Sequence, residues 1–309
     1  MNTTWIYQAA WHLVPRLPLG LVEGLAGLVG NVVATVGGES VDLLRQNHAR
    51  ILGRTPTRRE VRAAVRSHMR NYAQQFALPG LAADRLDLVC EFRRHEELIE
   101  MSRTGPVIFA LTHSGNWDYP GAWACSRGLE VLTVAERLEP ASLFDAFVSF
   151  REGLGMEIIG AGKGEHVFPT LVERARGRSV LLPLLADRDI TGSGIEVDLA
   201  GHPALVAAGP AALALRLGRP LVAGFIHYER TPHGWRSVVD ITGPFPDPGE
   251  GGGRTAVENL TQTWVDSLLP LWREHVVDWH MMQRVFVEDL DPERLARARE
   301  KHREEEGEA

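Results

Sequence analysis

The chain has 309 residues, of which 44% are hydrophobic and 24% are charged, as is usual for a folded protein with a sizeable core. Its formal net charge of −7 argues against general nucleic-acid binding, which needs a basic surface. The two cysteines, Cys90 and Cys125, indicate neither a disulfide framework nor a CxxC metal knuckle, so we expect a reducing compartment.

The first predicted elements are helices at residues 5–14, 19–36, 39–52 and 57–77. The segment from Leu17 to Val36 carries one charge, Glu23, and is close in length to a membrane-spanning helix. Prolines and glycines in or beside it leave three interpretations open: a helix packed on the protein or lying in the membrane interface, a membrane span, and a cleaved export signal. We favour the first, so residues 1–80 form an N-terminal helical part that faces a membrane.

The helix at 57–77 has a clear start, because Thr57 and Glu60 have the spacing of a capping box. Its stretch 62–72 offers one arginine-rich face. Two interpretations stay open for this face: a solvated helix surface, or a contact for acidic lipid head groups or for the phosphates of a carrier.

Beyond residue 105, short apolar runs alternate with helical stretches. Strands are predicted at 106–112, 129–135, 156–159, 179–186, 194–199, 220–229 and 235–242, and helices at 115–127, 141–153, 165–176, 209–217, 254–275 and 291–306. The last two strands are expected to pair across a turn. The alternation predicts an α/β fold, in which residues 81–309 form a central, mainly parallel mixed sheet flanked by helices on both faces.

The densest group of polar residues follows the apolar strand at 106–112. His113 is the first ionisable residue beyond that strand, and ligands of open α/β sheets bind at the carboxyl ends of strands. Asp118, five residues on, is expected to accept a hydrogen bond from the imidazole and to stabilise it once it takes a proton. Backbone N–H groups at Gly115 and Asn116 could bind an oxyanion.

Other chemistries fit this group less well. Ser114 as a nucleophile is disfavoured, because the GxSxG pattern is absent. A metal site at His113 is disfavoured, because no second His or Cys lies at ligand spacing. The residues Asp187 and Arg188 follow another apolar strand at its carboxyl end, whereas Arg137 could bind phosphate or carboxylate or form a structural ion pair.

The block HSGNWD (113–118) matches the H-x4-D signature of glycerolipid-type acyltransferases. Further motifs follow it in a specific order: TVAERLEP (133–140), FREGLG (150–155), RDITGSGIEVD (188–198), AGPAALA (208–214) and DWHM (278–281). With these motifs, the chain resembles the late acyltransferases of lipid A synthesis, and more closely the actinobacterial phosphatidylinositol mannoside acyltransferases. The resemblance extends from about residue 5 to residue 295.

The resemblance implies a role for each site residue. His113 is the catalytic base and Asp118 its companion in the signature. The family has a second acid in a segment that reads A-E-R-D. This chain reads ADRD there, so Asp187 takes that position with a side chain one methylene shorter. Arg151 and Ser193 fall on positions that contact the acyl donor.

The implied reaction transfers a palmitoyl group from palmitoyl-CoA to a mannose of phosphatidylinositol mannosides. The enzyme would be peripheral, on the cytoplasmic side of the cell membrane at an anionic surface, with no metal, no cofactor and no nucleic-acid partner. Three alternatives remain open: a lipid A-type acyltransferase that uses acyl carrier protein, a thioester hydrolase, and a non-enzymatic lipid-binding protein.

Overall fold

The structure is a computed structural model. The structure describes residues 10–11, 13–137, 140–162, 167–189, 194–245, 253–293 and 295–296. Most of the predicted first helix and of the predicted tail helix therefore lies outside the described residues.

A seven-stranded sheet forms the centre of the molecule, with the strand order β1-β9-β8-β2-β5-β3-β4. All neighbouring strands in it are parallel except β8 and β9, and β6 and β7 form a separate antiparallel hairpin. The bounds are β1 Cys90–Phe92, β2 Val107–Leu111, β3 Glu130–Glu136, β4 Met156–Ala161, β5 Val180–Leu185, β6 Ile195–Leu199, β7 His202–Val206, β8 Leu221–Thr231 and β9 Gly234–Phe245.

Helices cover both faces of this sheet, as predicted. Among the described residues the α-helices are α1 Leu19–Val36, α2 Glu39–Leu52, α3 Arg58–Ala77, α4 Leu86–Val89, α5 His95–Arg103, α6 Asp118–Ser126, α7 Ala141–Gly153, α8 Val167–Ala175, α9 Gly209–Leu217 and α10 Arg254–Glu274. The predicted α/β class, with its mainly parallel sheet and flanking helices, is confirmed.

Strand β2 is buried on both faces, which explains why its sequence is apolar without alternation. Ile108 and Ala110 point into the core that α9 and α10 cover. Phe109 and Leu111 point into the opposite core, against α6. The strand is thereby fixed at the centre of the sheet, and its carboxyl end is held in a defined place.

The N-terminal helices pack beside the sheet through close contact between α1 and α3. An ideal Cβ at Gly30 would lie 2.8 Å from the Cα of Arg66, so only glycine permits this approach. The predicted capping box opens α3: the amide of Glu60 donates to the Thr57 hydroxyl, and the Thr57 amide donates to the Glu60 carboxylate. Arg70 belongs to the arginine-rich face that was predicted for α3, and it is buried against the ring of Trp235. The interpretation of that face as a solvated helix surface is therefore wrong for Arg70.

Helix α1 is long and apolar enough to cross a membrane, and it alone meets that criterion within the described part of the chain. It is partly packed in the fold, since 28% of its length is buried. Its outward face is apolar and exposed, comprising Leu21, Leu25, Leu28, Val29, Val32 and Val36. We call this surface the α1 apolar face.

Two strands and two short helices were not predicted. Strand β1 has only three residues, too few to show a period of two. Strand β7 contains Pro203, which argues against a strand in sequence but is tolerated at a sheet edge. The helices α4 and α5 lie in the same unassigned region, between residues 78 and 104.

Candidate active site

The side chains of His113 and Asp187 meet because two neighbouring strands end in register. Leu111 of β2 pairs with Leu185 of β5, and each polar residue stands two positions beyond its strand. The amide of Ala186 donates to the carbonyl of Leu111 at 2.8 Å, so the pairing continues past the strand ends. Parallel strands thus bring a base and an acid to one edge of the sheet.

Asp187 holds the imidazole of His113 with both of its carboxylate oxygens. Nδ1 of His113 lies 2.5 Å from Oδ1, and the backbone N–H of His113 donates to Oδ2 at 2.9 Å. The indole N–H of Trp279 donates to the same Oδ2 at 2.6 Å. Burial alone would raise the pKa of Asp187, but the nearby imidazole and these hydrogen bonds outweigh it and lower that pKa.

This geometry fixes which nitrogen of His113 can act on a substrate. The ionised Asp187 accepts hydrogen bonds only, so Nδ1 carries the proton and Nε2 keeps its lone pair. The Asp187 side chain is fully buried, whereas 27% of the His113 side chain is exposed. The imidazole is therefore anchored on its buried side and accessible on the other, as a general base requires.

The segment after α10 clamps the backbone around His113. The amide of His280 donates to the carbonyl of His113 at 2.8 Å, and the amide of Gly115 donates to the carbonyl of Asp278 at 2.9 Å. Gly115 has a φ of +52°, and a Cβ there would lie 2.5 Å from the side chain of Ile226. The turn needs glycine at this point, and its amide is not free to bind an oxyanion.

Asp118 does not contact the imidazole, so the expected hydrogen bond between them is wrong. The carboxylate of Asp118 instead accepts from Nε of Arg151 at 2.7 Å and from a terminal nitrogen of Arg151 at 3.4 Å. Asp118 is the first residue of α6, while Arg151 lies near the end of α7. This buried ion pair joins the two helices, and the acid that orients His113 is Asp187.

Asn116 is fully buried and caps α6. Its side-chain oxygen accepts from the amides of Asp118 and Tyr119, and its amide group donates to Gln74 of α3. Its side chain is thus used within the protein. In the part of the chain that the structure describes, the backbone N–H groups of Asn116 and Trp117 have no acceptor. Because Asn116 is fully buried and Trp117 is half-buried, the amide of Trp117 is the better candidate for the predicted oxyanion contact.

Ser114 is buried and engaged, which agrees with its not being a nucleophile. Its hydroxyl lies 2.6 Å from that of Thr112 and accepts from the amide of Ile226 at 3.0 Å. His280 is also buried, with Nε2 2.9 Å from the hydroxyl of Ser67. Burial drives the pKa of His280 well below its ordinary value, so this imidazole stays neutral.

Two of the remaining predicted substrate-binding residues, Arg188 and Arg137, follow the carboxyl ends of β5 and β3. Arg188 lies 3.7 Å from Glu136 and lines with it an open cavity of about 500 Å³. The guanidinium of Arg137 lies over the ring of Phe144, 5.0 Å from its centroid. Ser193 lies outside the described residues.

A narrow apolar cavity of about 30 Å³ lies between α6 and the sheet. Trp117, whose ring is 6.0 Å from that of His113, lines one part of it. The other lining residues come from α6 and the adjacent sheet face, and include Phe109, Leu111, Ala124 and Leu181. No residue of α1 or α9 lines this cavity.

Sequence reasoning missed Trp279 as part of the site. Trp279 lies in the DWHM motif, but an indole carries no ionisable group that would mark it as functional. The contact with Asp187 spans 92 positions, so no local pattern indicates it. The sequence signal that could have indicated Trp279 was its position after a long amphipathic helix and before a histidine.

Comparison with known proteins gives a consistent result. Residues 1–287 match the family described as bacterial lipid A biosynthesis acyltransferase. The chain is 34% identical over 296 residues to the phosphatidylinositol mannoside acyltransferase of Mycolicibacterium smegmatis, covering 94% of this chain and 93% of that protein. It is 35% identical over 305 residues to the protein of that name from Mycobacterium tuberculosis H37Rv, covering 96% and 92%. The chain therefore belongs to the bacterial lipid A biosynthesis acyltransferase family and is an acyltransferase.

Proposed function

We propose that this acyltransferase moves a fatty acyl group, palmitoyl by the resemblance, from acyl-CoA to a mannose hydroxyl of phosphatidylinositol mannosides. His113 acts as the general base. The observation that carries the proposal is the anchored imidazole, with Nδ1 held by the buried Asp187 and 27% of the side chain exposed. The names of the mycobacterial relatives support the acceptor.

The reaction follows from this geometry. A sugar hydroxyl is a poor nucleophile at neutral pH, so Nε2 of His113 removes its proton as the oxygen attacks the thioester carbonyl. The carboxylate of Asp187 stabilises the imidazolium that forms. The amide of Trp117 holds the oxyanion. When the carbon–sulfur bond breaks, the thiolate takes the proton from His113, and the base is restored without a metal or another cofactor.

The apolar cavity beneath α6 supports the position of the acyl chain. It is lined by apolar side chains of the sheet and the helix and by Trp117, whose ring is 6.0 Å from that of His113. A volume of about 30 Å³ is far too small for a fatty acyl chain, so binding must displace some of these side chains. Each CH₂ buried there contributes about 0.8 kcal/mol, which favours long donors.

The polar part of the donor is assigned to the open edge of the sheet. Arg188, which follows Asp187 in the chain, lines the cavity of about 500 Å³, and its guanidinium suits the phosphates of CoA. Arg137 and Ser193 are proposed as further donor contacts. Arg151 is proposed as a contact only through the resemblance, since its side chain already pairs with Asp118.

The acceptor is a lipid, so we propose a peripheral enzyme on the cytoplasmic face of the cell membrane. The α1 apolar face supports this location, because a contiguous exposed apolar surface marks an interaction site. An anionic membrane surface and the acyl donor are the expected partners. The interfacial arrangement fits a helix that is partly packed on the fold better than a full span does.

The test measures thiol release from palmitoyl-CoA by the full chain, with and without the mannolipid. Stimulation by the mannolipid is expected, with a palmitoylated product. His113→Ala should lower the stimulated rate by about 100-fold or more, because a general base contributes that much. Release that the acceptor does not affect would instead identify a hydrolase, and activity only with acyl carrier protein would reassign the donor. No turnover with either donor would leave a lipid-binding protein.

A further inference from the structure

Three side chains of the types that bind metals meet on the sheet face that α10 covers. They are His227 of β8, Asp240 of β9 and His275, which follows the end of α10. Each offers one ligand atom, and these atoms lie within 4.8 Å of one another. Nε2 of His227 is 2.9 Å from Oδ2 of Asp240, and the two imidazole rings are stacked with centroids 3.7 Å apart.

The fold brings these residues together by strand register and helix packing. Asp240 pairs with Phe225 across the antiparallel β8–β9 ladder, two positions from His227, so all three point to one face. Trp272 of α10 packs against Phe225 on that face, with ring centroids 6.2 Å apart. His275, one turn after Trp272, is thereby set over His227. The cluster is held by three elements rather than by one loop.

The surrounding charges favour a cation. Asp240 and Glu229 lie on this face, and Arg93 contacts both carboxylates. The carboxylates close enough to act on the two imidazoles are those of Asp240, Glu229, Glu274 and Asp278. The guanidiniums of Arg93 and Arg236 pair with two of them, Asp240 and Glu229. Arg93 also fixes the orientation of Asp240, as the partners of metal-binding carboxylates do.

One rearrangement is required for metal binding. A metal lies in the ring plane of each imidazole that binds it, and the two rings here are parallel within 5°. They cannot both bind one ion until one of them turns. His275 is the ring that can turn, since 23% of its side chain is exposed and it follows the helix end, whereas His227 is 2% exposed.

We propose that His227, Asp240 and His275 form a binding site for one divalent transition-metal ion, preferably Zn²⁺. Two imidazoles and a carboxylate are a common zinc ligand set, and imidazole ligands disfavour Mg²⁺ and Ca²⁺. The carboxylate of Glu274, 3.8 Å from Nε2 of His275, or a water takes the fourth position. The ion connects β8, β9 and the end of α10, which leads into the segment that clamps His113. This site is separate from the proposed acyl transfer and does not depend on it.

The experiment uses the full chain after treatment with a chelator. Titration with Zn²⁺ in a calorimeter is expected to give one strong site per chain, with an increase in Tm. Titration with Co²⁺ is expected to give visible absorption bands typical of tetrahedral coordination with nitrogen ligands. Mg²⁺ at the same concentration should change neither the Tm nor the spectrum.

The variants His275→Asn and His227→Asn test the ligands, with His202→Asn as the matched control. His202 also has a carboxylate within 3.8 Å, but it belongs to no such cluster among the described residues. Loss of a ligand should weaken Zn²⁺ binding by about 100-fold or more, since loss of a supporting partner alone costs 10- to 100-fold. The control should bind as the wild type does. Absence of strong Zn²⁺ binding to the wild type, or binding by both ligand variants as strong as that of the wild type, overturns the proposal.

Discussion

At the scale of single residues, the site depends on how Trp279 and His113 share the carboxylate of Asp187. Trp279→Phe removes one hydrogen bond to a buried charge, which should lower the free energy of unfolding by about 1.5–3 kcal/mol beyond the loss of ring volume. Trp264→Phe is the matched control, because Trp264 is equally buried and its indole N–H has no partner among the described residues. Urea unfolding of the three proteins at pH 7 measures the difference.

The pH dependence of the same variant has a defined sign. The pKa of Asp187 is lowered in the folded protein, so its contribution to stability is present above the ordinary aspartate value and is lost as the pH falls through the lowered pKa. Removing the Trp279 hydrogen bond raises that pKa toward the ordinary value of 3.8. The extra destabilisation should therefore be present at pH 7 and should shrink at acidic pH. We also expect kcat to fall about 10- to 100-fold through misplacement of the imidazole, with KM little changed.

The ion pair between Asp118 and Arg151 gives a second prediction at this scale. Arg151→Met leaves a buried carboxylate without its partner, which should cost about 3–5 kcal/mol of unfolding free energy. The double variant with Asp118→Asn should recover much of that loss, because no charge remains buried. Chemical denaturation of both variants decides this. If Arg151→Met is as stable as the wild type, the pair does not hold α6 and α7 together.

Which residues of the site could be predicted depends on whether the signal is local. His113 and Asp187 were both identified, since each follows an apolar strand and each matches a family motif. The partner of His113 was misassigned for a physical reason: Asp118 is near in sequence, but it begins α6 and turns toward α7. Asp187, the acid that does contact His113, follows β5, the strand beside β2. The order of strands in a sheet is not contained in local sequence.

At the scale of elements, two glycines of the apolar helix α1 differ in how closely α3 approaches them. Gly30→Ala places a methyl group 2.8 Å from the Cα of Arg66, so the helices must separate, at a cost of about 1–3 kcal/mol. Gly24→Ala in the same helix meets no atom within 4 Å and should stabilise the helix by up to about 1 kcal/mol. Opposite shifts in Tm are expected. Equal shifts would mean that the close approach does not limit the packing.

Long elements were predictable because their burial repeats with a period. The register of β2, β5 and β8 was not predictable from the sequence. That register aligns the ends of β2 and β5 and so brings His113 and Asp187 together. The three-residue β1 and the proline-containing β7 lacked any periodic signal. The cluster of His227, Asp240 and His275 also escaped notice, because its members come from three elements that only the folded sheet and α10 bring together.

At the scale of the whole molecule, the α1 apolar face allows a test of the proposed membrane location. The double substitution Leu28→Glu and Val32→Glu should weaken binding to vesicles of anionic phospholipid about 100-fold or more, because each such side chain contributes about 1.5–3 kcal/mol when buried in lipid. The Tm should stay near that of the wild type, since these side chains are 63% and 62% exposed in the fold. Vesicle sedimentation measures the loss of binding.

The control for this prediction is Leu88→Glu with Phe168→Glu, which introduces the same charges at two exposed apolar residues away from α1. That variant should bind vesicles as the wild type does, apart from a small repulsion shared by both variants. Acyl transfer to mannolipid dispersed in detergent should be unchanged in both, because neither alters the residues around His113. The α1 variant should be slow only when the acceptor is embedded in a bilayer. Equal vesicle binding by the α1 variant and the control would contradict a membrane role for α1 and would leave the chemistry of the His113 site untouched.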